Sequence, residues 1–177
     1  MGLDITAYSN LQKLECVFNE DEEPLHPQTR QPFEYYFQAY INSHFPERAQ
    51  DLENKAVYLY DDSFGFRAGS YSGYNQWREQ LAHLAGYAAK PFARYDSVEM
   101  RHDAGAWGTT EGPFWELICF SDCEGVIGPA VCKKLAKDFA DFQERAMSSH
   151  DDIFRSKYDE WLIAFQLAAE NGAVDFR

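Results

Sequence analysis

Two stretches of this chain collect small, hydrogen-bonding and charged residues where an apolar run gives way to a helical pattern. The first runs Phe66-Arg67-Ala68-Gly69-Ser70-Tyr71-Ser72-Gly73-Tyr74-Asn75-Gln76-Trp77-Arg78, the second Phe120-Ser121-Asp122-Cys123-Glu124-Gly125-Val126-Ile127-Gly128-Pro129. Strand-to-helix junctions leave backbone N–H groups free to meet a ligand. In the first, Ser70 and Asn75 offer short polar side chains, Tyr74 a flat face, and Arg67 and Arg78 positive charge. That set suits an anionic or nucleotide-like small molecule, although the Gly spacing and the Lys of a phosphate loop are missing. The ordinary alternative is that Ser72 caps a helix, Trp77 is core and the arginines pair with acids. In the second, Asp122 and Glu124 are suited to binding a divalent cation or to acid and base work if they face a cleft; otherwise they cap a turn and favour a helix dipole. The expectation is that Arg67, Ser70, Tyr74, Asn75 and Arg78 converge with Asp122 and Glu124 on one solvent-accessible pocket at the ends of neighbouring strands.

No other residues form a reactive set. His26, His44, His83, His102 and His150 are scattered, and His102 stands beside Asp103, an acid that would orient it. Cys16, Cys119, Cys123 and Cys132 have no metal or redox spacing, and Cys119 and Cys132 sit in apolar patterns that read as buried thiols. Neither a cofactor nor a metal is expected, and no residue is put forward as catalytic.

Charge says more about partners. The net charge is -13, with five Lys/Arg against twelve Asp/Glu in residues 1–70 and a further acidic excess beyond. Such a field repels phosphate backbones and attracts a basic protein surface, so direct nucleic-acid binding is not expected. The run Glu20, Asp21, Glu22 and Glu23 reads as part of a flexible, solvated acidic loop at about 19–32, suited to a basic partner. With no signal-peptide pattern and no apolar stretch of membrane-spanning length, a cytoplasmic protein without membrane contact is expected.

The elements that position these residues make one domain over 1–177. Leu3, Ile5 and Ala7 alternate as a strand, with Leu14 to Phe18 continuing or returning it. Phe37–Asn42 reads as a strand, and Val57–Tyr60 with Ser63–Ala68 as a hairpin about Asp61-Asp62. A helix follows Ser72 with Trp77, Leu81 and Leu84 on one stripe, ending at Gly86. Phe114–Phe120 reads as the strongest strand. Pro129 opens a helix striped by Cys132, Leu135, Phe139 and Phe142, and Phe154, Tyr158, Trp161, Leu162 and Phe165 stripe a last one, stopped at Asn171-Gly172. The fold class is α+β: a mainly antiparallel sheet with helices on one face, two of them long and C-terminal.

Met1-Gly2-Leu3-Asp4-Ile5, the segment Phe66 to Arg78, and Ser121 to Pro129 followed by Lys134-Leu135 and Asp138-Phe139 resemble a group of uncharacterised bacterial and phage or prophage proteins. The likeness covers most of the chain, weakly through 19–35, and carries no activity. It implies a cytoplasmic bacterial setting and a mobile-element origin. Charge and context together give the expected function, a non-enzymatic acidic interaction protein, phage- or prophage-encoded, that inhibits a bacterial target by occupying its basic surface. Two alternatives stay open: a binder of an anionic or nucleotide-like molecule at the 67–78 junction, and a hydrolase-like enzyme using Asp122 and Glu124.

Overall fold

A strand buried on one face must pack that face against something, and the alternation of Leu3, Ile5 and Ala7 with Asp4 and Thr6 sets the plan of the molecule. A computed structural model describes residues 2–94, 97–120 and 125–177. In chain order the elements are β1 (Leu3–Tyr8), β2 (Gln12–Lys13), β3 (Val17–Phe18), β4 (Pro24–Leu25), β5 (Phe37–Gln38), a 3-10 turn at Pro46–Arg48, β6 (Val57–Leu59), β7 (Ser63–Gly69) and α1 (Tyr71–Ala85). The chain continues through β8 (Lys90–Arg94), β9 (Ser97–Arg101), α2 (His102–Trp107), α3 (Trp115–Ile118), β10 (Gly125–Ile127), α4 (Pro129–Met147), α5 (Asp152–Ala168) and β11 (Ala173–Phe176).

The main sheet is antiparallel with strand order β10-β11-β1-β7. Register puts Ile5 opposite both Phe176 and Phe66, and Ala7 opposite Val174 and Phe64, so these residues share the face that α1, α4 and α5 cover. The other face carries Tyr8, Ala173 and Val126, which pack on Phe37, Ala39, Ala49 and Tyr58 around a small sheet of order β2-β6-β5. The protein is therefore α+β, with helices on one face of an antiparallel sheet and two long helices near the C-terminus.

Helix signals hold where they rest on spacing. The stripes of α4 and α5 are buried at Cys132, Leu135 and Phe139 and at Phe154, Tyr158, Trp161, Leu162 and Phe165. Pro129 is the first residue of α4, whose Ala130 N–H is capped by Asp51 Oδ2 at 2.6 Å, and Gly86 ends α1 at φ 87°. The cap of α1 is Ser70, whose Oγ accepts from Gly73 N at 3.1 Å; Ser72 lies inside the helix, which starts at Tyr71.

Four strand expectations are corrected. Phe114–Phe120 contains the short helix α3 instead of a strand: Phe114, Leu117, Ile118 and Phe120 are fully buried while Trp115, Glu116 and Cys119 are half-buried, a helical spacing hidden inside an apolar run. Val57–Leu59 and Ser63–Gly69 are strands but do not pair with each other, because β6 joins β2 and β5 on one layer while β7 joins β1 on the other. Strand structure in Phe37–Asn42 is confined to β5, and Leu14 to Phe18 yields only β3, whose partner is β4.

Candidate functional site

The first junction divides among different tasks. Arg67 stands on the sheet face away from the helices, largely exposed, with its Nε 3.9 Å from Asp4 Oδ1. Ser70 is spent on capping α1. Tyr74 is buried, stacked on Trp77 and Trp161, and its hydroxyl donates to Phe120 O at 3.2 Å. Arg78 is equally buried: its Nη1 donates to Ile118 O at 2.5 Å, Nη2 meets Asn75 Oδ1, and the guanidinium lies 5.0 Å from the Tyr74 ring centre. A guanidinium so enclosed ties α1 to the end of α3. Asp122 and Glu124 lie outside the described residues, as do Ser121 and Cys123.

Asn75 also lines a cleft of about 660 Å³ between α1 and the β8–β9 ribbon, together with Ser72, Gln76, Glu79, Phe92, Glu99, Met100 and Arg101. Arg67, Ser70, Tyr74 and Arg78 do not line it. Its floor is a charge network that sequence inspection missed. Glu79 accepts from the N–H groups of His102 and Asp103 at 2.9 and 2.8 Å, so this helix-borne carboxylate caps α2. Arg101 forks onto Asp103, with Nε 2.9 Å from Oδ1 and Nη2 on Oδ2, and its guanidinium is 5.0 Å from the centre of the Phe92 ring. Asp103 is fully buried. It thus serves Arg101 rather than His102, whose Nδ1 contacts Tyr87 O at 2.6 Å and must carry the proton there, because a carbonyl oxygen only accepts. The one signal in the sequence was the alternation of Phe92, Ala93 and Arg94 and of Val98, Glu99, Met100 and Arg101, too short and too mixed to stand out.

A second concentration of charge is the tip joining β3 to β4. Asn19 Oδ1 accepts from Asp21 N at 3.0 Å and Glu23 N at 2.8 Å, and Asn19 N donates to Glu23 O at 3.1 Å. Around this turn Glu20, Asp21, Glu22 and Glu23 are all exposed, as is half of Phe18 beside them. The next turn is closed by His26 N to Gln31 O at 2.9 Å and a bridge between Leu25 and Pro32.

Cys132 and Cys119 are thiols of low reactivity. Cys132 is fully buried, as its stripe position implies, and burial raises its pKa. Cys119, half-buried at the end of α3, is pushed up to about 11 by the same cause, so little of it is thiolate at neutral pH.

One buried acid sets a pH dependence. Asp175, on the sheet face opposite the helices, is 3% exposed, and desolvation raises its pKa despite Arg177 Nε at 2.5 Å from its Oδ2. With the folded pKa above the unfolded one, the native state holds the proton more tightly, so this group's contribution is full below about pH 4 and is lost as pH rises through the folded pKa. Asp175→Asn is expected to unfold at a higher urea midpoint than the parent at pH 7 and to lose that advantage toward pH 4. A midpoint difference independent of pH would contradict it.

No family model matches the chain, and neither does any curated protein or solved structure. No helix among the described residues is long and apolar enough to cross a membrane.

Proposed function

We propose that this is a non-enzymatic acidic interaction protein that occupies a basic surface of a bacterial protein. The observation that carries the reading is the β3–β4 tip, where four consecutive exposed carboxylates are held on a turn ordered by Asn19 within a chain of net charge -13. A fixed turn presents its charges without the entropic cost of ordering a loose loop, and a field of one sign steers an oppositely charged partner. The sequence motifs favour a phage- or prophage-encoded inhibitor working in the bacterial cytoplasm, a setting in which the free thiols Cys16, Cys119 and Cys132 stay reduced. The cleft beside α1 favours an anionic ligand poorly, because Glu79 and Glu99 line it and Arg101 is already committed to Asp103.

Immobilised protein is to be exposed to bacterial lysate at about 50 mM and about 500 mM salt, conditions that differ several-fold in screening length. A discrete partner should be retained at the low concentration and released at the high one. Neutralising the tip (Glu20→Gln, Asp21→Asn, Glu22→Gln and Glu23→Gln together) should weaken its binding at least about tenfold, mostly through slower association. Failure to retain a partner at low salt, or a partner indifferent to salt and to the tip, would defeat the reading.

A further inference from the structure

The β8–β9 ribbon leaves one strand edge open along the cleft. Its register pairs Lys90 with Arg101, Pro91 with Met100, Phe92 with Glu99 and Ala93 with Val98. Pro91 has no N–H, so the Pro91–Met100 pair belongs to the set that exchanges no ladder hydrogen bonds, and by alternation so does Ala93–Val98. The N–H and C=O groups of Val98 and Met100 therefore point away from β8, and no other main-chain or side-chain partner takes them among the described residues. Pro91 blunts the outer edge of β8, whereas β9 carries no proline. Glu99, Met100 and Arg101 are consecutive and all line the cleft, so the cleft runs along that edge rather than over one face, with Gln76 and Glu79 of α1 across it. A groove between an open strand edge and a helix is the geometry of peptide recognition by strand addition.

We propose that an extended basic segment of a partner protein adds antiparallel to β9 in this groove as a third strand. The proposal rests on the acidic-interaction reading above and names the segment's chemistry. Side chains on the Glu99 face enter the cleft toward Glu99 and Glu79 and are Lys or Arg. Side chains on the opposite face are apolar, because there Val98 and Met100 stand 69% and 62% exposed beside Pro91 and Ala93, forming an apolar strip that a third strand would widen. A second copy of this chain is disfavoured: the register that uses the whole strand sets Glu99 against its own symmetry mate, and it brings together two chains of charge -13.

The test uses the full-length protein and a fluorescein-labelled octapeptide of alternating Val and Lys, compared with alternating Val and Glu. Binding of the Val-Lys peptide should slow amide exchange at Val98 and Met100 by about tenfold or more, and Glu99→Lys should weaken it about tenfold while improving the Val-Glu peptide. In the antiparallel arrangement the Val N–H groups face β9, so main-chain N-methylation at the Val residues should abolish binding and N-methylation at the Lys residues should leave it. Equal binding of the two methylated peptides, or binding without protection at Val98 and Met100, would overturn strand addition. Binding that follows the neutralised tip and ignores Glu99→Lys would also overturn it while leaving the acidic-partner reading in place. Groove binding by a protein that retains no salt-sensitive lysate partner would do the reverse.

Discussion

Trp161→Ala is expected to destabilise the protein by about 3–5 kcal/mol, the range for truncating a large aromatic in a packed core, and to lower the melting temperature by about 10 °C. Among the described residues Trp161 joins layers that no other single ring joins. Its centre lies 4.9 Å from Phe66 on β7, 5.2 and 5.8 Å from Trp77 and Tyr74 on α1, 5.8 Å from Phe165 one turn along α5, and 5.7 Å from Phe176 on β11. Stacked and edge-on aromatic pairs add to burial, and removing the hub leaves several rings facing a void that a sheet and two helices cannot jointly collapse into. Ile163→Ala, two residues along α5 but 46% exposed, should cost less than about 0.5 kcal/mol. Urea unfolding of both variants checks the pair. Similar losses would mean that the aromatic cluster is not the stabilising core.

Trp161 was legible in the sequence because α5 repeats large apolar residues at helical spacing over four turns, and the same holds for α4 and, with fewer positions, α1. Short buried elements were not legible. In α3 every residue except Glu116 is apolar or aromatic, so neither period shows, and the helical answer depends on Asp138 accepting from Phe114 N at 2.7 Å and Lys134 holding Glu116, contacts made by a helix some twenty residues later. Four-residue β11 is buried on both faces, which erases the alternation that marks a strand. The first junction could be read as a strand running into a helix, yet its cap is Ser70 rather than Ser72, and the burial of Tyr74 and Arg78 was not legible because what encloses them is Trp161 and the end of α3. The cleft was invisible for the same reason: half of it is a ribbon whose connecting residues 95–96 lack the Asn-Gly or Asp-Gly of a recognisable hairpin.

The largest electrostatic effect is expected at that ribbon. Arg101→Met should destabilise the protein by about 3–5 kcal/mol at neutral pH, the cost of leaving a buried charge without its partner. Asp103 is fully buried and Arg101 is 17% exposed, so water cannot replace the two-pronged contact between them. Arg101 ends β9 and Asp103 opens α2, whose first N–H groups are held by Glu79 from α1; losing the guanidinium therefore loosens the ribbon and the helix start together. Lys at this position should recover less than half of the loss, because a point charge cannot make both hydrogen bonds or lie over Phe92. Two measurements separate the pair from simple packing. The double variant Arg101→Met with Asp103→Leu should regain most of the stability, since removing both charges removes the desolvation cost with them. Amide exchange in β8 and β9 should accelerate along with the global loss. A single variant that melts within about 2 °C of the parent, well under the shift expected for a buried pair of this size, would mean that solvent reaches Asp103 and that the ribbon is held to the body by other contacts.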